Sequence, residues 1–330
     1  MPDKNRQWTM AARPVGYPKT SDFKLVESGI PEPRHGEVLV RTIWLSIDPY
    51  MRGRMGAAMK VGDVLIGEVV GRVEKSESSD FKRGDIVQAH IGWQEWGVAP
   101  AHRVTRVNTS RGPISTAIGV IGMPGLTAYF GLLDVCHPRP GETVVVSAAS
   151  GPVGATVGQI AKINGCKVIG IAGSPDKVGY VTKELGFDGG INYKTENVSQ
   201  RLKELCPAGV DVYFDNVGGP VTDAVWENLA MYARIVLCGQ ISQYNLAKPE
   251  MGPRNLRLIH GSRSRVQGFT VSQYPDRFEE GRTRLSQWVK SGQLKYREDV
   301  VEGIENAPEA MIGQQQGQNF GKLLVKVSDE

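Results

Sequence analysis

Cysteine is scarce in this chain, which holds four among 330 residues. No two of them form a C-x-x-C pair, and their spacing gives no sign of a disulfide framework. The four are Cys136, Cys166, Cys206 and Cys238. Two of them end or flank strand-like runs, so we expect buried thiols in a protein of the reducing cytoplasm.

Long apolar runs and a strong net charge are also missing. No stretch of about 18 apolar residues predicts a membrane-spanning helix, and residues 1–7 lack the apolar core of a signal peptide. The 39 basic and 35 acidic residues leave a net charge of +4, too small to indicate a nucleic acid or an acidic membrane as partner. One basic cluster has no interleaved aromatic ring before Phe269, so we interpret it as a solvated or phosphate-facing surface. It consists of Arg254, Arg257, His260, Arg263 and Arg265.

Glycine, by contrast, is abundant, with 40 of the 330 residues. This excess predicts many tight turns and close backbone approaches. Hydrophobic residues at 40% and charged residues at 22% are typical of a globular protein. The length predicts two domains, since one domain usually holds about 100–200 residues.

The first third of the chain has the pattern of a β domain. Three strand-like runs lie at residues 37–47, 63–73 and 84–89, and clusters of Gly, Pro and Ser separate them. Short strands at this spacing predict a compact antiparallel domain of the barrel type.

Beyond about Gly112, strands alternate with helices. The predicted strands are 143–147, 167–172, 210–215 and 233–238, and the predicted helices are 153–164, 177–185 and 221–231. This rhythm predicts a doubly wound parallel sheet. Residues 322–327 form a last strand with no helix after it, which we expect to return to the sheet of the first domain. We therefore assign residues 1–118 with 298–330 to one domain and residues 119–297 to the other.

A glycine-rich turn follows the predicted strand that ends at Ser147. Gly151, Gly154 and Gly158 have the spacing of a dinucleotide loop, which needs a sharp turn, a close backbone approach to a pyrophosphate and a helix packed on the strand. The helix N-terminus would offer free N–H groups and a positive dipole end to phosphate. A turn that binds nothing is the alternative, but the flanking Val-rich strand and amphipathic helix favour a dinucleotide site.

The next predicted strand is followed by Gly173 and Ser174, where an NAD site usually has Asp or Glu for the ribose 2′-OH. Small neutral residues leave room for a 2′-phosphate, and Lys177 follows on the next turn, which favours NADP. Two alternatives stay open at this point. Asp176 could point inward and serve NAD, and Lys177 could be a solvated helix residue.

The first domain resembles the GroES-like half of the medium-chain dehydrogenases/reductases in residues 67–73 and 81–87. The zinc alcohol dehydrogenases of that superfamily carry Gly-His-Glu at the first segment, where Gly67 takes the His position here. They also carry a catalytic Cys in the strand before it, and residues 45–48 hold none. Because the first cysteine of the chain is Cys136, the chain resembles a zinc-free member, in which hydride transfer proceeds without a Lewis-acid metal.

A narrower resemblance covers nearly the full length. The motifs that carry it are residues 48–55, 122–133, 148–154, 215–219 and 319–322. They are similar to the leukotriene B4 dehydrogenase/prostaglandin reductase group, which includes plant alkenal double-bond reductases and bacterial curcumin reductase, and the curcumin-reductase branch is the most similar. The resemblance implies an α/β fold in which a Rossmann-type doubly wound parallel sheet domain is joined to a GroES-like β-barrel domain. It also implies a homodimer through edge strands of the nucleotide-binding sheets.

The same resemblance implies which residues contact NADPH. The glycine-rich turn would hold the pyrophosphate, Lys177 the 2′-phosphate, and Tyr193 would line the adenosine ribose. Met123 and Thr127 would lie under the nicotinamide, and Asn319 would reach its carboxamide. The complete set is Met123, Thr127, Gly151, Pro152, Val153, Gly154, Lys177, Tyr193, Asn216, Cys238, Gly239, Tyr244 and Asn319. For the tyrosines, simple packing is the alternative.

The implied reaction is reduction of the C=C bond of α,β-unsaturated ketones and aldehydes. Without a metal, such a carbonyl is a better hydride acceptor than a simple ketone. Hydride adds to the β-carbon and negative charge develops on the carbonyl oxygen, so a hydrogen-bond donor aimed at that oxygen stabilises the transition state.

Tyr50, directly after Asp48 and Pro49, is the candidate catalytic residue, either as that donor or as the proton source. The alternatives are a packing tyrosine at the domain junction, or a ribose hydroxyl of the cofactor that does the same work. For the whole chain, the alternatives are an NADPH quinone reductase and a non-catalytic NADPH-binding relative. The loop at residues 56–61 looks shorter than the usual loop of the family, so the substrate mouth is the part that the resemblance predicts least.

Overall fold

The computed structural model describes residues 4–330. The backbone divides into two compact units, one of Met1–Gly119 with Glu298–Glu330 and the other of Val120–Arg297. No helix within residues 4–330 is both long enough and apolar enough to cross a membrane.

The elements follow each other as strands first and then as alternating strands and helices. Up to Gly119 they are β1 (Asn5–Met10), β2 (Phe23–Ser28), β3 (Glu37–Ser46), α1 (Tyr50–Ala57), β4 (Val69–Ser76), β5 (Ile86–Ala89), β6 (Trp96–Pro100) and β7 (Thr105–Arg106). From Val120 they are α2 (Met123–Phe130), β8 (Thr143–Ser147), α3 (Pro152–Ile163), β9 (Lys167–Ala172), α4 (Pro175–Gly179), β10 (Gly189–Asn192), α5 (Val198–Leu205), β11 (Val210–Asp215), α6 (Gly219–Trp226), β12 (Leu229–Leu237), α7 (Leu256–Ser262), β13 (Arg265–Gly268) and α8 (Phe278–Lys290). The chain ends with β14 (Glu298–Glu302), α9 (Ala307–Gln315) and β15 (Lys322–Lys326).

The first unit is built on a seven-stranded sheet in the order β14-β15-β3-β4-β5-β7, with β6 paired to β3. All of its pairs are antiparallel except β14 with β15. The C-terminal strand lies against β3, with Leu324 opposite Ser46, which confirms that the end of the chain returns to the first sheet. A buried core of Val, Leu, Ile and Met side chains packs around Trp93.

The predicted strand at residues 63–73 begins six residues late, at Val69. The preceding backbone bonds to other partners: the N–H of Leu65 donates to the Trp8 carbonyl (2.9 Å), and the N–H of Trp93 donates to the Leu65 carbonyl (2.8 Å). These loop contacts replace the regular ladder, so the β-rich composition of residues 63–68 predicted the wrong local structure.

The second unit holds a six-stranded sheet in the order β10-β9-β8-β11-β12-β13, and every pair is parallel. The doubly wound parallel sheet is therefore confirmed. The strand order reverses between β8 and β11, and in such sheets ligands bind outside the carboxyl ends of the strands at this point. The loops after β8, β9, β10, β11 and β12 all leave from that edge.

The predicted helix 221–231 ends early, because α6 stops at Trp226 and β12 begins at Leu229. Asn228 makes the break: its side-chain amide donates to the Ala224 carbonyl (2.9 Å), and its own carbonyl accepts from the N–H of Val210 at the start of β11 (2.8 Å). The apolar residues after it fit either periodicity, so the sequence pattern alone misplaced the boundary.

Gly158 shows how tightly α3 packs in the second unit. A Cβ at this position would lie 1.9 Å from Cζ of Phe187, so the helix approaches the ring only because residue 158 has no side chain. We expect Gly158→Ala to lower the free energy of unfolding by about 1–3 kcal/mol, as overpacking does elsewhere.

The measurement compares the melting temperature of Gly158→Ala with that of a control variant, Gly179→Ala. Gly179 lies in α4, and no atom lies within 4 Å of its Cβ position. That control should be neutral or stabilising by up to about 1 kcal/mol. Equal melting temperatures for the two variants would contradict the close contact between α3 and Phe187.

Candidate active site

The turn after β8 is shaped by Ala148 and closed by Gly154. Ala148 has φ = 50°, in the left-handed region, and its carbonyl accepts from the N–H of Gly151 (3.0 Å). A Cβ on Gly154 would lie 2.4 Å from the Ala148 carbonyl oxygen, so a side chain is excluded there. The left-handed residue of the turn is thus an alanine, which the sequence could not indicate because alanine seldom adopts this conformation.

This turn fits a dinucleotide pyrophosphate. Gly151 caps α3 and Pro152 is its first residue, so the first N–H groups without an acceptor inside the helix are those of Val153 and Gly154. Those groups and the positive end of the helix dipole suit a phosphate. Because Gly154 has no side chain, the backbone of the turn at Ala148 can approach a ligand closely. Gly151, Pro152 and Val153 are half-buried rather than packed into the core.

The loops after β9 and β10 bring Lys177 and Tyr193 to the same edge of the sheet. A Cβ on Gly173 would lie 3.0 Å from Cε1 of Tyr193, so the tyrosine ring fills the space that the sequence analysis left open beside Gly173. Ser174 caps α4, because its hydroxyl oxygen accepts from the N–H of Lys177 (3.3 Å). Lys177 is half-buried and Asp176 is exposed, which favours Lys177 as the residue that faces a ligand.

Asp215, at the end of β11, organises the next loop. Its side chain is fully buried, and Oδ1 accepts from the N–H groups of Val217 and Gly218, both at 2.9 Å, and from the Tyr213 hydroxyl at 3.0 Å. Oδ2 accepts from the Thr222 hydroxyl at 2.7 Å. A carboxylate with this many donors holds the loop between β11 and α6 in one conformation.

Asn216 ties the ends of β8 and β11 together. Its backbone N–H donates to the Ser147 hydroxyl oxygen, and its side-chain amide donates to the Ser147 carbonyl, each at 2.9 Å. The backbone N–H and one N–H of the side-chain amide of Asn216 therefore already have a structural partner. The loop after β12 passes close by, since a Cβ on Gly239 would lie 3.0 Å from the Asn216 carbonyl oxygen.

Cys238 and Tyr244 line this loop after β12. Burial raises the pKa of the Cys238 thiol to about 12, so the thiol stays protonated at neutral pH and is no nucleophile there. The Tyr244 hydroxyl oxygen accepts from the N–H of Gln240 at 3.4 Å, and burial raises its pKa.

Met123 and Thr127 lie at the start of α2. The Thr127 hydroxyl donates to the Met123 carbonyl at 2.7 Å, within the same helix, and Thr127 is buried. The Thr127 hydroxyl has thus used its proton within the helix, and its oxygen can only accept a hydrogen bond from a ligand.

Tyr50 is the first residue of α1 in the first unit and is half-buried. Burial, together with the carboxyl groups of Asp48 and Glu68, raises the pKa of its phenol. Arg54 acts in the opposite direction and does not reverse the shift. The phenol therefore stays protonated at neutral pH and can donate a hydrogen bond.

A buried ion pair fixes the approach to Tyr50. The Lys322 ammonium lies 2.8 Å from Oδ1 of Asp48, and it also donates to the Ser46 hydroxyl (2.6 Å) and the Ile47 carbonyl (3.1 Å). The Ser46 hydroxyl donates to the other oxygen of Asp48. Three residues before Lys322, Asn319 donates its side-chain amide to the Gly321 carbonyl at 3.1 Å.

These supporting residues were missed by the sequence analysis. Each of the three charged residues lies at or beside the end of a strongly apolar strand: Asp48, Asp215 and Lys322. A single charged residue beside such a strand is the one feature of the sequence that indicates a buried, paired side chain. That signal does not name the partner.

The position that carries a zinc-ligand histidine in zinc alcohol dehydrogenases is closed here. A Cβ on Gly67 would lie 2.8 Å from Cδ1 of Trp93 and 2.9 Å from Cδ1 of Leu45, so a larger side chain does not fit. Within residues 4–330, no group of three or more His, Cys, Asp or Glu side chains is arranged to hold a metal ion.

Two family models match the chain. Residues 6–107 match a family described as the N-terminal domain of oxidoreductase, and residues 152–287 match one described as zinc-binding dehydrogenase. The second match lies entirely within the second unit.

Several curated proteins are similar over nearly their whole length. YfmJ of Bacillus subtilis, whose name assigns it provisionally to the NADP-dependent oxidoreductases, is 48% identical and the match covers 100% of this chain and 99% of YfmJ. The NADPH-dependent curcumin reductase of Escherichia coli is 42% identical, with 99% and 98% covered. Prostaglandin reductase 1 of Bos taurus is 44% identical, with 97% and 98% covered.

The solved structures agree with this grouping. CurA of Vibrio vulnificus in complex with NADPH superposes with a TM-score of 0.93 at 43% identity, covering 98% of this chain and 100% of CurA. The quinone oxidoreductase of Escherichia coli reaches a TM-score of 0.81 at 22% identity, covering 98% and 99%, and that likeness shows the fold alone. The chain therefore belongs to the medium-chain dehydrogenase/reductase family, within the group of prostaglandin reductases and NADPH-dependent curcumin reductases that its sequence resembles.

Proposed function

We propose that this chain uses NADPH to reduce the C=C bond of α,β-unsaturated ketones and aldehydes. The observation that carries the proposal is the full-length similarity, above 40% identity, to relatives named as curcumin and prostaglandin reductases. The glycine-lined turn at Ala148–Gly154 and the half-buried Lys177 at the next strand end are consistent with NADPH as the cofactor. We assign the pyrophosphate and 2′-phosphate contacts of NADPH to the second unit and the substrate-side chemistry to the first.

The residues at the carboxyl edge of the second unit's sheet have distinct roles in this proposal. The N–H groups of Val153 and Gly154 receive the pyrophosphate, and the Lys177 ammonium pairs with the 2′-phosphate beside the Tyr193 ring. Asn216 and Asp215 hold the loop that bounds the site, through the hydrogen bonds to Ser147 and Thr222. When bound, NADPH supplies the hydride that the β-carbon of the substrate accepts.

Tyr50 stabilises the charge that develops on the substrate in this proposal. Its phenol donates a hydrogen bond to the carbonyl oxygen, which becomes an enolate oxygen as the β-carbon accepts hydride. A donor of this kind binds more strongly in the transition state than in the ground state, because the oxygen gains negative charge as hydride adds. A proton from solvent then adds to the α-carbon and gives the saturated carbonyl product. Asn319, three residues before Lys322, is assigned to the nicotinamide carboxamide.

We further propose a cytoplasmic homodimer. Cys136, Cys166, Cys206 and Cys238 are all free thiols, as expected in a reducing compartment. β13 is an edge strand of the second unit's sheet with mostly exposed residues, and Tyr232 on neighbouring β12 is 60% exposed, so this edge is our choice for the contact between copies. Light scattering after size exclusion tests the dimer.

A substrate panel tests the reaction class. We expect NADPH oxidation with enones and enals, a saturated carbonyl product, and rates that persist after exhaustive chelation, since the Gly67 position holds no metal ligand. A quinone panel run beside it separates the alternatives. Turnover of quinones without enones would indicate a quinone reductase, and binding of NADPH without turnover of either panel would indicate a non-catalytic relative.

Lys177→Ala tests the cofactor choice. The loss of a charge-assisted contact of roughly 1.5–3 kcal/mol should weaken NADPH binding by about 10- to 150-fold. Binding of NADH, which has no 2′-phosphate, should stay near wild type. Lys183→Ala is the matched control, because Lys183 lies exposed on the helical turn Tyr180–Glu184 that directly follows α4. Equal losses for both cofactors would reduce Lys177 to a structural residue.

Tyr50→Phe tests the proposed donor. The variant keeps the packing of the ring and removes the hydroxyl, so kcat on enones should fall by up to about 10²-fold while the Kd of NADPH stays unchanged. The measurement must be made where chemistry limits the rate. A kcat equal to wild type under that condition would remove Tyr50 from the mechanism.

A further inference from the structure

Glu68 is a buried carboxyl group whose two oxygens have different surroundings. Oε1 accepts from the Gln88 side-chain amide and lies 3.5 Å from Nε2 of His90. Oε2 is buried and has no hydrogen-bond partner among the described residues. The Glu68 side chain is 7% exposed, whereas that of His90 is 69% exposed.

An ionised Oε2 in this place would be costly. A buried carboxylate oxygen without a donor loses its hydration and gains nothing, whereas a neutral carboxyl group pays a much smaller cost. Burial accordingly raises the pKa of Glu68, and the nearby charge of Asp48 acts in the same direction. His90, Gln88 and Lys322 act the other way.

A neutral Glu68 leaves the charges around Tyr50 positive on balance, because Arg54 adds a positive charge to the Asp48–Lys322 pair. Asp48 is negative and its partner Lys322 is positive, in direct contact at 2.8 Å. An ionised Glu68 adds a second negative charge. The side chain of His90, which lies 3.5 Å from it, is 69% exposed, so solvent screens its interaction with Glu68. The charge on Glu68 would oppose the negative charge that the proposed reaction develops on the substrate oxygen held by Tyr50.

We propose that Glu68 is a further positioning residue of the reaction, which keeps a proton on its buried carboxyl group so that no second carboxylate offsets the positive charges of Lys322 and Arg54 around Tyr50. This inference rests on the proposed function. It predicts an alkaline fall in kcat that belongs to Glu68 and not to Tyr50, whose phenol stays protonated throughout.

The test is the pH profile of kcat on an enone from about pH 6 to pH 10. In wild type, kcat should fall by about tenfold or more as Glu68 ionises. Glu68→Gln, a neutral group of the same shape, should keep the plateau within about threefold and abolish the fall. Glu298→Gln is the matched control: Glu298 also has a buried oxygen without a partner in the described chain, and its variant should keep the fall.

A second variant, Gln88→Met, keeps Glu68 and tests whether the pH of the fall depends on the hydrogen bond to its carboxyl group. Removing the amide donor disfavours the ionised carboxylate, so the fall should move to higher pH. A fall that stays in place or moves to lower pH overturns the proposal. So does a fall in Glu68→Gln equal to that of wild type, or loss of its plateau in a folded variant that binds NADPH.

A readout without turnover separates this inference from the proposed function. The infrared spectrum of the cofactor-free protein, wild type minus Glu68→Gln, should show the C=O band of a protonated carboxyl group that disappears as the pH rises. This band in a protein that reduces no enone would refute the proposed function alone. Enone reduction without the band would refute the role of Glu68 alone.

Discussion

The buried ion pair between Asp48 and Lys322 is the constraint on which the candidate site of the first unit depends. Taking two charges out of water costs several kcal/mol per ion, and the pair stabilises only when its remaining donors are satisfied. Here Asp48, Ser46 and Ile47 together accept from the Lys322 ammonium. The pair thereby fixes the start of α1, where Tyr50 lies, against the strand that follows Asn319.

In the second unit, a single buried carboxylate is stabilised by neutral hydrogen-bond donors instead of by an ion pair. Asp215 receives hydroxyl and backbone N–H groups from both sides of the loop after β11, and Ser147 links that loop to the end of β8. The glycine positions then keep the edge of the sheet open, because a side chain at Gly154 would collide with the Ala148 backbone and one at Gly239 would contact the Asn216 carbonyl oxygen tightly. The proposed cofactor-binding surface is thus made mostly of backbone, held by buried side chains that lie behind it.

The sequence predicted the parts of this arrangement that depend on local pattern. Period-2 and period-3.6 runs located the parallel sheet, and the glycine spacing located the turn before α3. The pattern failed where distant contacts decide: Trp8 and Trp93 take the backbone of Leu65 out of the ladder, and Asn228 ends α6 early. Asp48 and Lys322 are 274 residues apart, so no local rule pairs them.

Isotope transfer is the most direct test that hydride reaches the β-carbon of an enone. The enzyme is incubated with an enone and NADPH deuterated at the transferable position of the nicotinamide, and the product is examined by NMR. Hydride transfer to the β-carbon leaves one deuterium on that carbon and an intact carbonyl group. Deuterium on the carbonyl carbon, with an allylic alcohol as product, would contradict it.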